Sequence, residues 1–365
     1  MATARSSFRT ATTVKNGDGS STVTEVSRSA NGTLLNRLIT TTSANGLSRT
    51  MQADTNGDGT FEVTTTDVTV VNGDGSRVQT VTERFADGTL KAKSVATISA
   101  DRKTTTILVD ANGDGANERQ ETFVTQANGT SVQTVSRFNP NGSLLDKVVT
   151  TTSDDGLSTT AQFDENGDAV FDLTRANVTV LNDDGSRAQT ITERNANTSV
   201  RDQIVATSSD DGLSSTLKVD RNGDGVFDLT TASNTVINAD GSRTTTVQDR
   251  NADNSLRDQS ITTVSATGLS ATIVTDVNGD GTSDRTLPDV VTLNADGSRT
   301  QTITERNANG SLRAQVITKT SADGRTVNIT RDVNGDGSLD QTESVVAGSD
   351  GMVTRTLEFS MPTAP

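Results

Sequence analysis

The sequence lacks cysteine, histidine, tryptophan and tyrosine, and its only aromatic residues are nine phenylalanines among 365 residues. Without cysteine, no disulfide bond can stabilise the fold. Because histidine and cysteine supply the commonest general base and the strongest nucleophile, we do not expect an enzyme. Apolar residues make up only 30% of the chain, so we expect a thin hydrophobic core.

No run approaches the roughly 18 apolar residues of a membrane-spanning helix, so we expect no membrane insertion. The formal net charge is −15, and this acidity, together with the scarcity of stacking aromatics, argues against nucleic-acid binding. The first five residues, Met1 to Arg5, lack the apolar segment of a signal peptide. We therefore expect the sequence to be a stretch of a longer protein.

What the sequence contains in abundance is a nine-residue acidic pattern, Asp-x-Asn-x-Asp-Gly-x-x-Asp/Glu, which recurs six times at intervals of about 56 residues. In such a loop the side chains at positions 1, 3 and 5 converge, position 7 offers its backbone carbonyl, and position 9 adds another oxygen or a water. Hard cations such as Ca²⁺ bind oxygen ligands of this kind. The spacing therefore predicts up to six calcium sites.

The candidate ligands at positions 1, 3, 5, 7 and 9 of the six loops are Asp54, Asn56, Asp58, Thr60, Glu62; Asp110, Asn112, Asp114, Ala116, Glu118; Asp164, Asn166, Asp168, Val170, Asp172; Asp220, Asn222, Asp224, Val226, Asp228; Asp276, Asn278, Asp280, Thr282, Asp284; and Asp332, Asn334, Asp336, Ser338, Asp340. Position 6 carries the glycine of the sharp turn in five loops, and Ala169 replaces it in the third. We expect the third site to bind most weakly. Six bound divalent ions would reduce the net charge to about −3.

A plainer interpretation is that these segments are tight turns, because Asn-Gly and Asp-Gly favour the positive φ of hairpins. Two similar segments, Asn16-Gly17-Asp18-Gly19 and Asn72-Gly73-Asp74-Gly75, carry Val14 and Val70 where the first ligand would stand. We predict that those two are turns only. The six complete loops keep both the leading aspartate and the trailing acid, and this favours calcium.

Over their nine residues the loops resemble the first half of an EF-hand, and equally the calcium loops of dockerins, thrombospondin type 3 repeats and FG-GAP propeller blades. An EF-hand would also place a bidentate glutamate at position 12, where this chain has Thr65, Glu121, Arg175, Thr231, Leu287 and Glu343. The flanking segments favour strands, in which a residue at position 12 runs away from the ion at about 3.3 Å per residue. We therefore expect the acid at position 9 to be the last protein ligand.

Between the loops, each repeat contains four segments of strand-forming Thr, Val and Ile separated by short turns. In the second repeat the predicted strands are 61–71, 76–85, 89–99 and 102–109. The first two strands of the repeat occur seven times, with the first copy beginning at Ser6, and the last two strands occur six times. We predict an all-β fold of tandem repeats of four antiparallel strands, stacked as an open β-meander or solenoid-like array, with a six- to seven-bladed β-propeller as the alternative.

We expect a single continuous array across residues 1–365, with no independent domain boundary. It comprises about six and a half repeats, at 1–53, 54–109, 110–163, 164–219, 220–275, 276–331 and 332–365. Because an unpaired strand edge invites pairing with another copy, self-association through the end strands is a further expectation.

In repeat style and acidic loops, nearly the whole chain resembles the tandem-repeat regions of large secreted or surface proteins of Gram-negative bacteria, the adhesin and RTX-associated kind. It departs from true RTX repeats, whose Gly-Gly-x-Gly-x-Asp nonapeptides are absent. The resemblance implies an extracellular scaffold or adhesin stalk at the cell surface. Such a stalk would be secreted unfolded and would fold on binding Ca²⁺. It does not indicate which host or surface ligand is recognised.

Other functions remain open at this stage. A ligand-binding propeller would display varied, aromatic-bearing loops, whereas these loops are nearly identical. Threonine runs such as 150–152 suggest an ice-binding surface but also fit the β propensity of threonine. A toxin-enclosing shell of the YD-repeat kind shares the Asp-Gly hairpins but needs tyrosine, which this chain lacks. A filament-forming surface protein is the remaining alternative.

Overall fold

The computed structural model describes residues 7–349 and 351–360. These residues form 26 β-strands and no helix, so none of the described chain is a helix long and apolar enough to cross a membrane. Ser6, the predicted start of the first strand, lies outside the described residues. So do the outermost parts of the predicted repeats 1–53 and 332–365, namely residues 1–6, 350 and 361–365.

The first fourteen strands are β1 Ser7–Lys15, β2 Ser21–Ser29, β3 Leu34–Thr42, β4 Ser48–Asp54, β5 Val63–Val71, β6 Arg77–Phe85, β7 Leu90–Ile98, β8 Thr104–Asp110, β9 Arg119–Thr125, β10 Ser131–Phe138, β11 Leu144–Thr152, β12 Ser158–Asp164, β13 Leu173–Leu181 and β14 Arg187–Asn195. The remaining twelve are β15 Val200–Ser208, β16 Ser214–Asp220, β17 Leu229–Ile237, β18 Arg243–Asn251, β19 Leu256–Val264, β20 Ser270–Asp276, β21 Arg285–Leu293, β22 Arg299–Asn307, β23 Leu312–Thr320, β24 Thr326–Asp332, β25 Gln341–Ala347 and β26 Val353–Phe359.

Each repeat contributes four strands, as its pattern of Thr, Val and Ile predicts. In the second repeat, β5, β6, β7 and β8 lie within two residues of the predicted bounds. The array begins and ends with the first two strands of a repeat, so those two occur seven times and the last two six times. The prediction of four strands per repeat is confirmed.

The chain divides into two compact units, one of Met1–Val178 with Glu193–Ser199 and one of Thr179–Thr192 with Val200–Pro365. In the first unit every strand from β1 to β12 pairs antiparallel with the next along the chain. In the second unit the strands from β15 to β26 pair in the same way.

Neither unit closes on itself: among the described strands, β1 pairs only with β2 and β26 only with β25. The fourth strand of one repeat also pairs directly with the first strand of the next, as β4 does with β5. A propeller would instead end one blade's sheet there and begin another. The open antiparallel meander is therefore confirmed, and the propeller alternative does not describe this structure.

Aspartate or asparagine residues shape the hairpin turns through their own side chains. In the turn after β5, the Asp74 carboxylate accepts bonds from both the amide and the hydroxyl of Ser76, at 2.9 and 2.7 Å. The backbone closes beside it, with the Gly75 amide donating to the Asn72 carbonyl at 2.9 Å. Asn16–Gly19 forms a turn of the same kind, and its Gly19 amide donates to the Asn16 carbonyl. Both segments that lack a leading aspartate are thus hairpin turns, as predicted.

The described residues contain no buried hydrophobic side chain. Valine, leucine and isoleucine side chains lie half-buried or exposed on the sheet, and Leu293 is 64% exposed. The buried side chains in the described part of the chain are all polar, and half of them are the leading aspartates of the six loops. In place of the thin hydrophobic core expected from the composition, the described sheet has backbone hydrogen-bond ladders, half-buried apolar side chains and buried carboxylates.

Candidate metal centres

Each acidic loop starts where the fourth strand of a repeat ends. The leading aspartate is the last residue of β4, β8, β12, β16, β20 or β24, and its side chain is the most deeply buried part of the loop. Relative exposures are 1% for Asp54 and Asp164, 2% for Asp220, 3% for Asp110, 4% for Asp332 and 6% for Asp276. The strand therefore fixes position 1 before the chain turns.

The loop backbone then curls around this carboxylate. In the first loop the amide of Gly57 donates to Asp54 Oδ1 at 2.7 Å, and the amide of Gly59 donates to Oδ2 at 3.1 Å. The same two bonds recur in all six loops. In the fourth and fifth loops Oδ1 also accepts the amide of position 3, at 3.2 Å for Asp220 and 3.3 Å for Asp276. Because a carboxylate oxygen has two lone pairs, Oδ2 can still accept a cation.

Positions 3, 5 and 7 are arranged by two further turns of the same kind. In the first loop the Asp58 amide donates to Asn56 Oδ1 at 2.8 Å, and the Thr60 amide donates to Asp58 Oδ1 at 2.8 Å. Asn56 Nδ2 also donates to Asp58 Oδ2 at 3.0 Å. The other loops repeat both amide bonds. The same succession of turns therefore shapes positions 1 to 7 in all six loops.

The acid at position 9 turns back over the loop. One of its oxygens accepts the amide of position 2 in every loop, at 2.6 Å for Glu62 with Thr55 and at 2.8 Å for Asp284 with Val277. In the two loops that end on glutamate, the other oxygen, Oε1, is buried and has no hydrogen-bond partner. A buried carboxylate oxygen without a donor is costly unless a cation meets it.

Two of the loops bring three carboxylates together. Asp54, Asp58 and Glu62 each offer an oxygen within 4.8 Å of the others, and Asp110, Asp114 and Glu118 do the same. Both clusters could hold a metal ion. Glutamate reaches one methylene further than aspartate. Among the described residues, only the loops that end on glutamate reach this separation.

Hydrogen bonds lower the pKa of three position 5 carboxylates. The hydroxyl and amide of Thr60 hold the pKa of Asp58 below its ordinary value of 3.8, and Thr282 does the same for Asp280. The amide of Ser338 is the main cause of the lowered pKa of Asp336. These ligands are negatively charged at neutral pH, as binding a hard cation requires.

A glycine that the sequence reasoning passed over is essential to the packing of the loop. Position 4 has a φ near +70° in all six loops, and a Cβ there would lie 2.0 to 2.3 Å from a backbone oxygen at the start of the third strand of the preceding repeat. For Gly113 that oxygen belongs to Leu90, and for Gly223 to Val200. Position 6, by contrast, needs a positive φ but has open space around it. The unbroken Asn-Gly of every loop was the signal in the sequence.

Position 12 takes no part in the clusters. Its two acids pair with arginines instead: Glu121 with Arg119, and Glu343 with Arg331 and Arg355 at 3.0 and 2.6 Å. Those two arginines lower the pKa of Glu343. This arrangement favours position 9 over position 12 as the last ligand.

No family model matches this chain, and no curated protein matches it. Solved structures that align along most of this chain include two of TcdB2-TccC3 and one of a Tc holotoxin pore. A crystal structure of TcdB2-TccC3 without its hypervariable C-terminal region is 9% identical with a TM-score of 0.15, covering 91% of this chain and 23% of that one. A second TcdB2-TccC3 crystal structure is 11% identical with a TM-score of 0.12, covering 98% and 34%.

The Photorhabdus luminescens Tc holotoxin pore is 10% identical with a TM-score of 0.11, covering 96% of this chain and 31% of that one. The chain spans between 23% and 34% of the length of these three structures. TM-scores this low carry no argument about the fold or function of this chain.

Proposed function

We propose that this chain is a calcium-stabilised, non-catalytic structural scaffold or adhesin stalk that works outside the cell or at its surface. One observation carries the proposal: among the described residues of this coreless sheet, the five most deeply buried are leading aspartates of the acidic loops, and the sixth leading aspartate is buried too. In an ordinary domain apolar side chains occupy such positions and stabilise the fold. Here a cation held by the loops would contribute the missing stability.

The loop geometry supports calcium as the ion. The candidate donors are carboxylate, amide and backbone oxygens, which suit a hard cation. In two loops three of the carboxylates offer oxygens within 4.8 Å of one another. The backbone amides already orient the carboxylates, so ion binding would need little rearrangement of the loop. In the loops ending on Glu62 and Glu118 the ion would also meet the unpartnered buried oxygen.

Calcium dependence also supports an extracellular location. Millimolar calcium outside cells would fill sites with dissociation constants near 10 µM, whereas low intracellular calcium would leave them largely empty. Such a chain would stay loosely folded during export and become stiff afterwards. Six copies of one loop suit a repeated structural role better than a single reaction centre.

Calcium titration by isothermal calorimetry tests this proposal. We expect uptake of up to six calcium ions per chain, with position 5 as the critical ligand. Replacing Asp58 and Asp114 by asparagine keeps the size of the side chain and the acceptor of the position 7 amide. This double variant should bind two fewer ions. The same change at two turn aspartates, Asp74→Asn and Asp296→Asn, is the matched control and should leave the stoichiometry unchanged.

Self-association is a second proposal, favoured by the exposure of the terminal strands. All of β26 is exposed, including Val353 at 66% and Phe359 at 67%, and Phe8 on β1 is 49% exposed. Exposed strand edges with apolar residues pair readily with another copy. Sedimentation at rising protein concentration in calcium should show oligomers that an Arg or Pro substitution at Leu357 removes. A monomer at every concentration would contradict this second proposal.

A further inference from the structure

The residue that faces the leading aspartate across the sheet differs between the two units. In the first unit the third strand of each repeat places a cation opposite that aspartate, and in the second unit it places a neutral amide. The pairs are Arg37 with Asp54, Lys93 with Asp110, Lys147 with Asp164, Gln203 with Asp220, Gln259 with Asp276 and Gln315 with Asp332. Paired residues on one face of a ladder have Cβ atoms about 5 Å apart.

In the first loop this cation enters the loop itself. Arg37 Nη2 donates to the carbonyl of Gly59 at 3.1 Å and lies 3.9 Å from Asp54 Oδ2. The guanidinium also lies over the ring of Phe61, 4.6 Å from its centre. The positive charge is therefore held beside the carboxylate that forms the base of the candidate metal site. In the third loop Lys147 lies near the ring of Phe171 in a related way.

In the second unit the corresponding glutamines bond to the neighbouring strand of the repeat. Gln203 Nε2 donates to Thr192 Oγ1 at 3.1 Å, and Gln315 makes the same bond to Thr304. Gln259 Oε1 accepts from Gln248 at 2.6 Å. These residues place no positive charge opposite the leading aspartate. In the fourth loop a cation comes from β16 instead, because Lys218 Nζ lies 5.5 Å from the centre of the Phe227 ring.

We infer that this facing residue tunes calcium affinity in the six loops: the facing cation weakens binding in each loop of the first unit, and the facing amide leaves binding in the second unit unweakened. The inference rests on the proposed calcium function. A unit positive charge roughly 6 Å from a divalent cation repels it. Even at the dielectric constant of water, this repulsion lowers the calcium affinity about tenfold. In the first loop the tethered Arg37 also compensates the buried Asp54 when no ion is bound. That loop therefore depends less on calcium than a loop whose aspartate faces an amide.

Calorimetry on the full chain tests the inference, with one unit's loops silenced at a time. Asp224→Asn, Asp280→Asn and Asp336→Asn leave only the loops of the first unit active. In that background, the substitutions Arg37→Gln, Lys93→Gln and Lys147→Gln remove the facing charges. We expect them to raise the calcium affinity of these loops about tenfold. Because the acid at position 9 is unchanged, this comparison isolates the facing charge. Arg37→Lys keeps the charge and should leave the affinity of the first loop unaltered.

The reverse exchange uses the second unit, with the first silenced by Asp58→Asn, Asp114→Asn and Asp168→Asn. Gln203→Lys, Gln259→Lys and Gln315→Lys should lower calcium affinity about tenfold. Circular dichroism in calcium should show the same strand content in every variant. If the unaltered chain binds calcium but both exchanges change affinity less than twofold, the inference is wrong and the proposed function stands. If the unaltered chain takes up no calcium, the proposed function fails, and the inference fails with it.

Discussion

At the residue scale, the loops show two kinds of glycine that look equivalent in the sequence. Gly113 and Gly115 both have positive φ, at +76° and +92°, where an L side chain is disfavoured. A Cβ on Gly113 would also lie 2.3 Å from the Leu90 carbonyl oxygen, whereas one on Gly115 would meet open space. Ala169 shows that position 6 tolerates a methyl group, at a φ of +70°.

We therefore predict that Gly113→Ala lowers the free energy of unfolding by about 3 kcal/mol, since it adds a backbone clash to the conformational cost. Gly115→Ala should cost only about 1 kcal/mol. Urea unfolding of the two variants in the same calcium buffer makes the comparison. Equal losses in both would show that the approach of the loop to the Leu90 carbonyl is unimportant.

The acidity of the turn aspartates is a second property of single residues. The hydroxyl and amide of Ser255 hold the pKa of Asp253 below its ordinary value of 3.8, the hydroxyl contributing most. Because the folded pKa is the lower one, the turn adds stability that is fully present above the unfolded pKa. That stability declines as the pH falls below about 3.8 and is lost once the pH passes the folded pKa.

We predict that Ser255→Ala raises the pKa of Asp253 toward its ordinary value, as followed by NMR titration of the side-chain carboxyl carbon. The equivalent turn one repeat earlier has Asn197 in place of the aspartate and bonds to Ser199 in the same geometry. The variant Asp253→Asn should keep the turn and remove its acid sensitivity. An Asp253 titration that Ser255→Ala leaves unmoved would contradict this cause.

At the scale of the element, strands and turns follow directly from the sequence. The alternation of Thr, Val and Ile predicted the bounds of β5 to β8 to within two residues. This was possible because a half-buried strand is specified by local alternation and by the turns that flank it. The turns of the acidic loops were likewise predictable, because their Asx-type hydrogen bonds join residues two to five positions apart.

Other features of the site depend on contacts between strands, which the pattern of one loop does not specify. The approach of Gly113 to Leu90 joins residues 23 positions apart. The cation facing Asp54 comes from Arg37, through the register of two strands. Whether the Oε1 atoms of Glu62 and Glu118 find a hydrogen-bond partner depends on the three-dimensional packing around each side chain. These features became visible only in the folded structure.

The hairpins between the second and third strands offer a matched test of turn chemistry. The last turn position is glycine in most repeats, but Thr198 and Asn254 occupy it with φ of +68° and +65°. A β-branched side chain is strained there, whereas asparagine tolerates this region well. We predict that Thr198→Gly raises the free energy of unfolding by about 1 kcal/mol, while Asn254→Gly changes it by less than about 0.5 kcal/mol.

Thermal or urea unfolding in one buffer would compare these two variants with the unaltered chain. The two positions lie at the same point of successive repeats, so differences in surroundings are small. A larger gain at Asn254 than at Thr198 would contradict the strain argument.

At the scale of the whole molecule, the described chain has no buried hydrophobic side chain, so its stability must come from other sources. Antiparallel ladders satisfy the backbone, and half-covered valine, leucine and isoleucine side chains contribute partial burial. The six buried aspartates then concentrate negative charge in a chain whose net charge is already −15. Cations in the loops would remove that repulsion and join the end of one repeat to the start of the next.

The most direct test is urea unfolding of the unaltered chain, followed by circular dichroism, in about 1 mM free calcium and in excess chelator. A loop whose dissociation constant lies 100-fold below the free calcium concentration would add about 2.7 kcal/mol to the free energy of unfolding. The account predicts that chelation lowers the unfolding midpoint strongly, or abolishes the strand signal before any urea is added. The same midpoint and the same spectrum with and without calcium would contradict it.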